Sequence, residues 1–144
     1  MSMVDVTSKP EVYRKATAKG QIKLRKETVI LIKEEKIEKG DPLYAAKIAG
    51  VLAAKNTSFL IPLCHPIPLT SVDITVRIVD DSTVEVESTV KTKAQTGVEM
   101  EALVATATAL LTVWDMTKKY EKDREGQYPY TAIQNIRVVS KMKG

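Results

Sequence analysis

The chain contains one cysteine and one histidine, and the two are neighbours, Cys64 and His65. A single cysteine excludes an internal disulfide and fits a reducing compartment. One Cys and one His cannot close a zinc site without carboxylate help, and adjacent residues of an extended segment point to opposite sides. No metal or other cofactor is therefore expected. The same adjacency argues against a Cys–His catalytic pair, whose thiol and imidazole meet across a fold and not along the chain. Aromatics are scarce as well, with five Tyr, one Trp and one Phe. The core must then come from Val, Ile, Leu and Ala, and no platform for stacking bases is apparent. There is no P-loop and no Gly-x-Gly-x-x-Gly. Any phosphate must be held by side chains and helix N-termini. Charges interrupt every apolar stretch before it is long enough to span a membrane. Met1–Val6 lacks the basic-then-apolar pattern of a secretory leader, so the expected location is cytoplasmic, without membrane contact.

What is present suits one domain, 1–144, with a sizeable core. Hydrophobic residues make up 44% and charged residues 28%, the balance of a soluble globular chain. The net charge of +4 suits an anionic small molecule. Nucleic acid would also suit that charge, but the lysines are spread along the chain and not gathered in one stripe.

Residues 1–10 read as a loose arm. Val12–Lys23 reads as a first strand and Lys26–Lys36 as a short helix, followed by the charged turn Ile37–Asp41. Asp41 before Pro42 has the form of an N-cap with proline at the first helical position. The helix it opens runs to about Lys55, with a small-residue surface of Ala45, Ala46, Ala49, Gly50, Ala53 and Ala54. Three of the six prolines stiffen the connector Leu60–Leu69, which carries Cys64 and His65. Val72, Ile74, Val76 and Ile78 then alternate with mostly polar residues. Val84, Val86, Ser88 and Val90 do the same after an Asp80-Asp81-Ser82 turn. A period of two on both sides of a turn predicts an antiparallel hairpin with one buried face. Thr96-Gly97 ends the second strand. A long helix from Val98 to Tyr120 follows, with acidic residues in its first turn and Lys118 and Lys119 in its last, matching the helix dipole. Ala132–Val139 reads as a last strand, and 140–144 as a basic tail. Strands and helices mix without βα regularity, which gives an α+β fold with helices on an antiparallel sheet.

On the long helix Asp115 and Lys118 lie three residues apart and share a face. A surface ion pair satisfies that spacing; so does a carboxylate that orients a lysine for proton transfer. His65, held among prolines and apolar residues, fits either a binding-site imidazole or an ordinary hydrogen-bonded histidine. Glu99 and Glu101 fit dipole complementation.

Taken together, several segments are more specific. They are Met3-Val4-Asp5-Val6, Lys39-Gly40-Asp41, Ile48-Ala49-Gly50, Ala53-Ala54-Lys55, Leu60-Ile61-Pro62-Leu63-Cys64-His65-Pro66, Thr96-Gly97-Val98-Glu99-Met100-Glu101-Ala102-Leu103 and Leu111-Thr112-Val113-Trp114-Asp115-Met116-Thr117-Lys118. In that order they resemble the cyclic pyranopterin monophosphate synthase family of molybdenum cofactor biosynthesis over nearly the whole chain. The resemblance implies a ferredoxin-like α+β subunit that assembles as a hexamer, a trimer of dimers. It implies a lyase that converts a 3′,8-cyclised dihydro-GTP to cyclic pyranopterin monophosphate and releases diphosphate. It makes Asp115 and Lys118 catalytic, with Lys118 moving protons and Asp115 orienting it. Leu63, Cys64, His65, Met100 and Glu101 become substrate-binding residues. Arg14, Lys39 and Lys141 become basic positions near the triphosphate, and His65 binds it or donates a proton.

The chain departs from the family pattern at three places. Ala94-Gln95 stands where Gly-Lys is common, and Thr117 where cysteine is frequent. Ser140-Lys141-Met142-Lys143-Gly144 replaces a glycine-rich tail, which leaves Lys143 as an alternative to Lys141. A basic nucleic-acid-binding module and a non-catalytic paralogue are the competing readings.

Overall fold

The computed structural model describes residues 1–144. Four strands, β1 (Val12–Lys23), β2 (Leu69–Asp80), β3 (Thr83–Ala94) and β4 (Ala132–Lys143), form one antiparallel sheet in the order β2-β3-β1-β4. Helices α1 (Lys26–Lys33), α2 (Pro42–Lys55), α3 (Thr57–Leu60) and α4 (Glu99–Glu121) complete the fold. The arrangement is α+β and ferredoxin-like.

The alternation seen in the sequence becomes the two faces of the sheet. Ala16, Ala18, Gly20 and Ile22 of β1 and Val84, Val86, Ser88 and Val90 of β3 turn toward the helices and are buried, Gly20 included. Against them pack Ala102, Ala105, Ala109, Leu110 and Val113 of α4. Small residues let α4 come close. A methyl group on Gly20 would meet Leu110 Cδ1 at 2.8 Å and Ile136 Cγ1 at 2.9 Å. The Thr106 and Ser88 hydroxyls, 2.9 Å apart, satisfy each other at the centre of that contact.

Helix α2 begins as its sequence predicts. Asp41 Oδ1 accepts from Leu43 N at 2.9 Å and Tyr44 N at 3.3 Å, with Pro42 in the first turn. Its small residues lie against α4 and β2. A methyl group on Gly50 would meet the Ala105 carbonyl oxygen at 3.3 Å.

Three expectations shift. Helix α1 stops at Lys33, because Glu35 takes a left-handed φ of 57° that a helix cannot continue through. The residues after Val139 are not a free tail: β4 runs to Lys143 and Gly144 N donates to the Tyr13 carbonyl at 3.0 Å. The arm before β1 has almost no regular structure, but it docks. The Val4 carbonyl accepts from His65, and Gln95 Nε2 donates to the Thr7 carbonyl at 3.4 Å. No helix is long and apolar enough to cross a membrane.

Candidate active site

Chemistry-bearing residues gather at the two ends of α4. At its C-terminal end Asp115 is clamped between two lysines. Lys118 Nζ reaches Oδ1 at 3.0 Å from the next turn of the same helix. Lys39 Nζ, from the turn that leads into α2, reaches Oδ2 at 3.0 Å and the Asp115 carbonyl at 3.3 Å. All three side chains remain about half exposed. Hydrogen bonds from Lys39 and then Lys118 hold the Asp115 carboxyl below its usual range, and Asp115 in turn raises Lys118. The pair as it stands is a carboxylate and an ammonium. In this state Lys118 offers a proton or a positive charge. Leu111, Trp114 and Ile133 wall a shallow pocket around Asp115 and Lys118, and Trp114 packs on Tyr128 with ring centroids 5.1 Å apart.

At the N-terminal end a larger pocket lies between the connector after α3, the docked arm and the first turn of α4. Leu63, Cys64, His65, Glu99 and Met100 line it. His65 Nε2 lies 2.7 Å from the Val4 carbonyl. A carbonyl only accepts, so Nε2 carries the hydrogen and Nδ1 is left as an acceptor in the neutral ring. Behind the pocket wall, Cys64 Sγ is 3.9 Å from Glu101 Oε2. Glu101 is 3% exposed, and its Oε1 is the one buried side-chain oxygen without a partner. Burial first, and then the charge of Glu99, push the Glu101 carboxyl above its usual range. Burial and the neighbouring Glu101 push the Cys64 thiol up as well, which disfavours the thiolate a nucleophile requires.

The raised Glu101 carboxyl has a testable consequence. An acid whose pKa is higher in the fold than in the unfolded chain favours folding while protonated, and loses that advantage as pH rises through its folded value. Glu101→Gln should therefore raise Tm at pH about 8 relative to wild type, with the gain disappearing near pH about 4. Thermal melts across that range check it. A variant that loses most stability at the high-pH end would mean that the carboxylate is ionised and partnered.

Other predicted positions have different surroundings. Arg14 is buried, its Nε donating to the Ala94 carbonyl at 3.1 Å and its terminal nitrogen to the Gln95 carbonyl at 3.2 Å. It braces the chain where β3 passes into α4. Lys141 lies 3.6 Å from Glu99 at the rim of the larger pocket. Thr117 is buried, and its hydroxyl donates to the Val113 carbonyl at 2.7 Å, so the position is filled by a group its own helix satisfies.

The fold brings Asp115, Lys118 and Lys39 together, and separately Leu63, Cys64, His65, Met100 and Glu101. It does not join the two groups. Residues 101 and 115 are fourteen positions apart on one helix, about 21 Å. Sequence reasoning did not find the bond from Lys39 to Asp115, nor the buried Glu121 that closes α4. Glu121 follows Val113 and Thr117 at four-residue spacing on the buried face, a signal that was open to view.

A sequence model described as the MoaC family matches residues 3–144. Curated relatives match almost end to end. A protein of Sulfurisphaera tokodaii named as a probable cyclic pyranopterin monophosphate synthase is 58% identical over 98% of this chain and 93% of its own. One of Pyrococcus furiosus with the same name is 58% identical over 99% and 91%. A Methanothermobacter thermautotrophicus protein, 55% identical over 98% and 88%, is named as an accessory protein of that synthase.

Proposed function

The chain belongs to the MoaC family, and from that premise we infer that it is a lyase of molybdenum cofactor biosynthesis that makes cyclic pyranopterin monophosphate. Its substrate is the cyclised dihydro-GTP, and diphosphate is the leaving group. The observation that carries this reading is the pairing on one helix of a buried carboxylate with an unpartnered oxygen and an exposed carboxylate clamped between two ammonium groups. The first backs the wall of the larger pocket through Cys64, and its free oxygen is the acceptor that the N–H groups of a heterocycle seated there would draw on. The second offers concentrated positive charge to phosphates in a chain without a P-loop.

Closing a cyclic phosphate requires a substrate hydroxyl to attack phosphorus: the new P–O bond forms, the P–O bond to diphosphate breaks, and the hydroxyl proton passes to water. Lys118 and Lys39 stabilise the negative charge on the departing group, and Lys118 is the proton donor. Asp115 fixes where both ammonium groups sit. Leu63, Cys64, His65, Met100 and Glu101 take the heterocyclic end, with Lys141 at the rim. Arg14 acts on the wall and not on phosphate. A cytoplasmic location accompanies this reading.

The two ends meet when two copies of the chain pair. The outer face of α4 carries Met100, Val104, Ala107 and Leu111, with Leu111 58% exposed. Two such helices laid antiparallel about a two-fold axis near Ala107 and Thr108 bury this stripe. They also set Asp115 of one copy against Met100 and Glu101 of the other. The family resemblance extends this dimer to a hexamer, and Tyr44, Ile48, Leu52 and Phe59 supply further exposed apolar surface for it.

The direct test is incubation of the purified protein with the cyclised dihydro-GTP and assay of diphosphate and pterin product. Turnover by this protein alone supports the lyase. No product under any divalent-cation condition contradicts it and favours the accessory role carried by the name of one relative.

A further inference from the structure

Lys39 reaches Asp115 from a loop, so something must hold that loop. The turn between α1 and α2 is pinned on one side by Ile37, buried in the core, and on the other by Asp41, which caps α2. Gly40, at a φ of 112°, supplies the bend between them, and Gly40 N closes the turn on the Ile37 carbonyl at 3.0 Å. Glu38 and Lys39 remain exposed. The last turn of α4 holds Glu38 twice. Its N–H donates to Tyr120 Oη at 2.8 Å, and its carboxylate pairs with Lys119. The Tyr120 ring itself packs against the buried cluster, so the phenol is a fixed point.

We propose that Tyr120 is a positioning residue that sets the reach of Lys39 by holding Glu38, so that the Lys39 ammonium arrives at Asp115 already placed. Of the two contacts to Glu38, the phenol hydrogen bond is the directional one. Lys119 is largely exposed and its ion pair with Glu38 is open to water. The catalytic half of this inference rests on the lyase reading above; the structural half does not.

The test is a double-mutant cycle of Tyr120→Phe and Lys39→Ala in the full chain, read in two ways. Phenylalanine keeps the ring packing and removes only the oxygen, so Tm should move little. By 13C NMR, the Asp115 carboxyl should titrate higher in Lys39→Ala, and part of that rise should appear in Tyr120→Phe. In steady-state kinetics Tyr120→Phe should lower kcat/KM about fivefold in the wild-type background and less than about twofold when Lys39 is already alanine. An Asp115 titration unmoved by Tyr120→Phe, or a kinetic penalty undiminished in the Lys39→Ala background, would overturn the proposal. If the wild-type protein turns nothing over, the lyase reading fails, and the NMR titration still decides whether Tyr120 acts through Lys39.

Discussion

Lys118→Ala should reduce kcat/KM by roughly a thousandfold or more. The size of that loss follows from the chemistry. Departing diphosphate carries charge that needs stabilising, and in the proposed site the ammonium groups of Lys118 and Lys39 supply that stabilisation. On the reading proposed above, Lys118 also carries the proton. Removing it loses both, and Lys39, whose ammonium is held by two hydrogen bonds to Asp115, is left as the one remaining charge of the pair. Lys118→Arg restores charge without a compact proton donor and should recover only a small part of the rate. Because Asp115 raises Lys118 and the two lysines lower Asp115, the ion pair stays intact across neutral pH. The wild-type rate should then show no inflection near neutrality from this pair. Steady-state assays of diphosphate release check both points. Turnover by Lys118→Ala within tenfold of wild type would remove Lys118 from the reaction.

The second large effect is on stability and is remote from the chemistry. Glu121→Ala should cost about 3 kcal/mol or more and lower Tm by roughly 10 °C at fixed protein concentration. Glu121 is completely buried. Its carboxylate accepts from Arg25 N at 3.0 and 3.2 Å, from the Thr131 hydroxyl at 2.6 Å and from the Thr28 hydroxyl. One side chain thus ties the end of α4 to the start of α1 and to the chain entering β4. Truncation strands a backbone N–H and two hydroxyls in a dry interior, which costs more than the lost bonds alone. A Tm within about 2 °C of wild type would mean that water or a rearranged loop replaces the carboxylate.

Much of the fold could be read from local pattern. Asp41-Pro42 announced α2, and the period of two around Asp80–Ser82 announced β2 and β3. Boundaries were legible only where side chains carry the signal. The end of β4 is Ser140-Lys141-Met142-Lys143 on an edge strand, where backbone bonds to β1 hold the chain and exposed side chains of any polarity are tolerated. The polarity that suggested a tail is simply that of an edge.

The site divides along the same line. Asp115 and Lys118 are neighbours on a helix, and their spacing put them together. Lys39 meets Asp115 across 76 positions, and no local pattern reports a contact of that range. Glu101 looked like a dipole complement in a first turn; its burial and unpartnered oxygen appear only once the connector with Cys64 is folded over it. The separation of the two groups along α4 already follows from the predicted helix, but no motif says which copy of the chain supplies which residue.

A mixing experiment tests the composite site most directly. Asp115→Ala and Glu101→Ala chains, each inactive alone, are combined so that hetero-oligomers form, verified by native mass spectrometry, and diphosphate release is measured. If Asp115 of one copy works with Glu101 of the other, each mixed dimer regains one intact site of its two, and an equal mixture should recover about a quarter of wild-type activity. A verified hetero-oligomer no more active than its parents would contradict a site shared between copies.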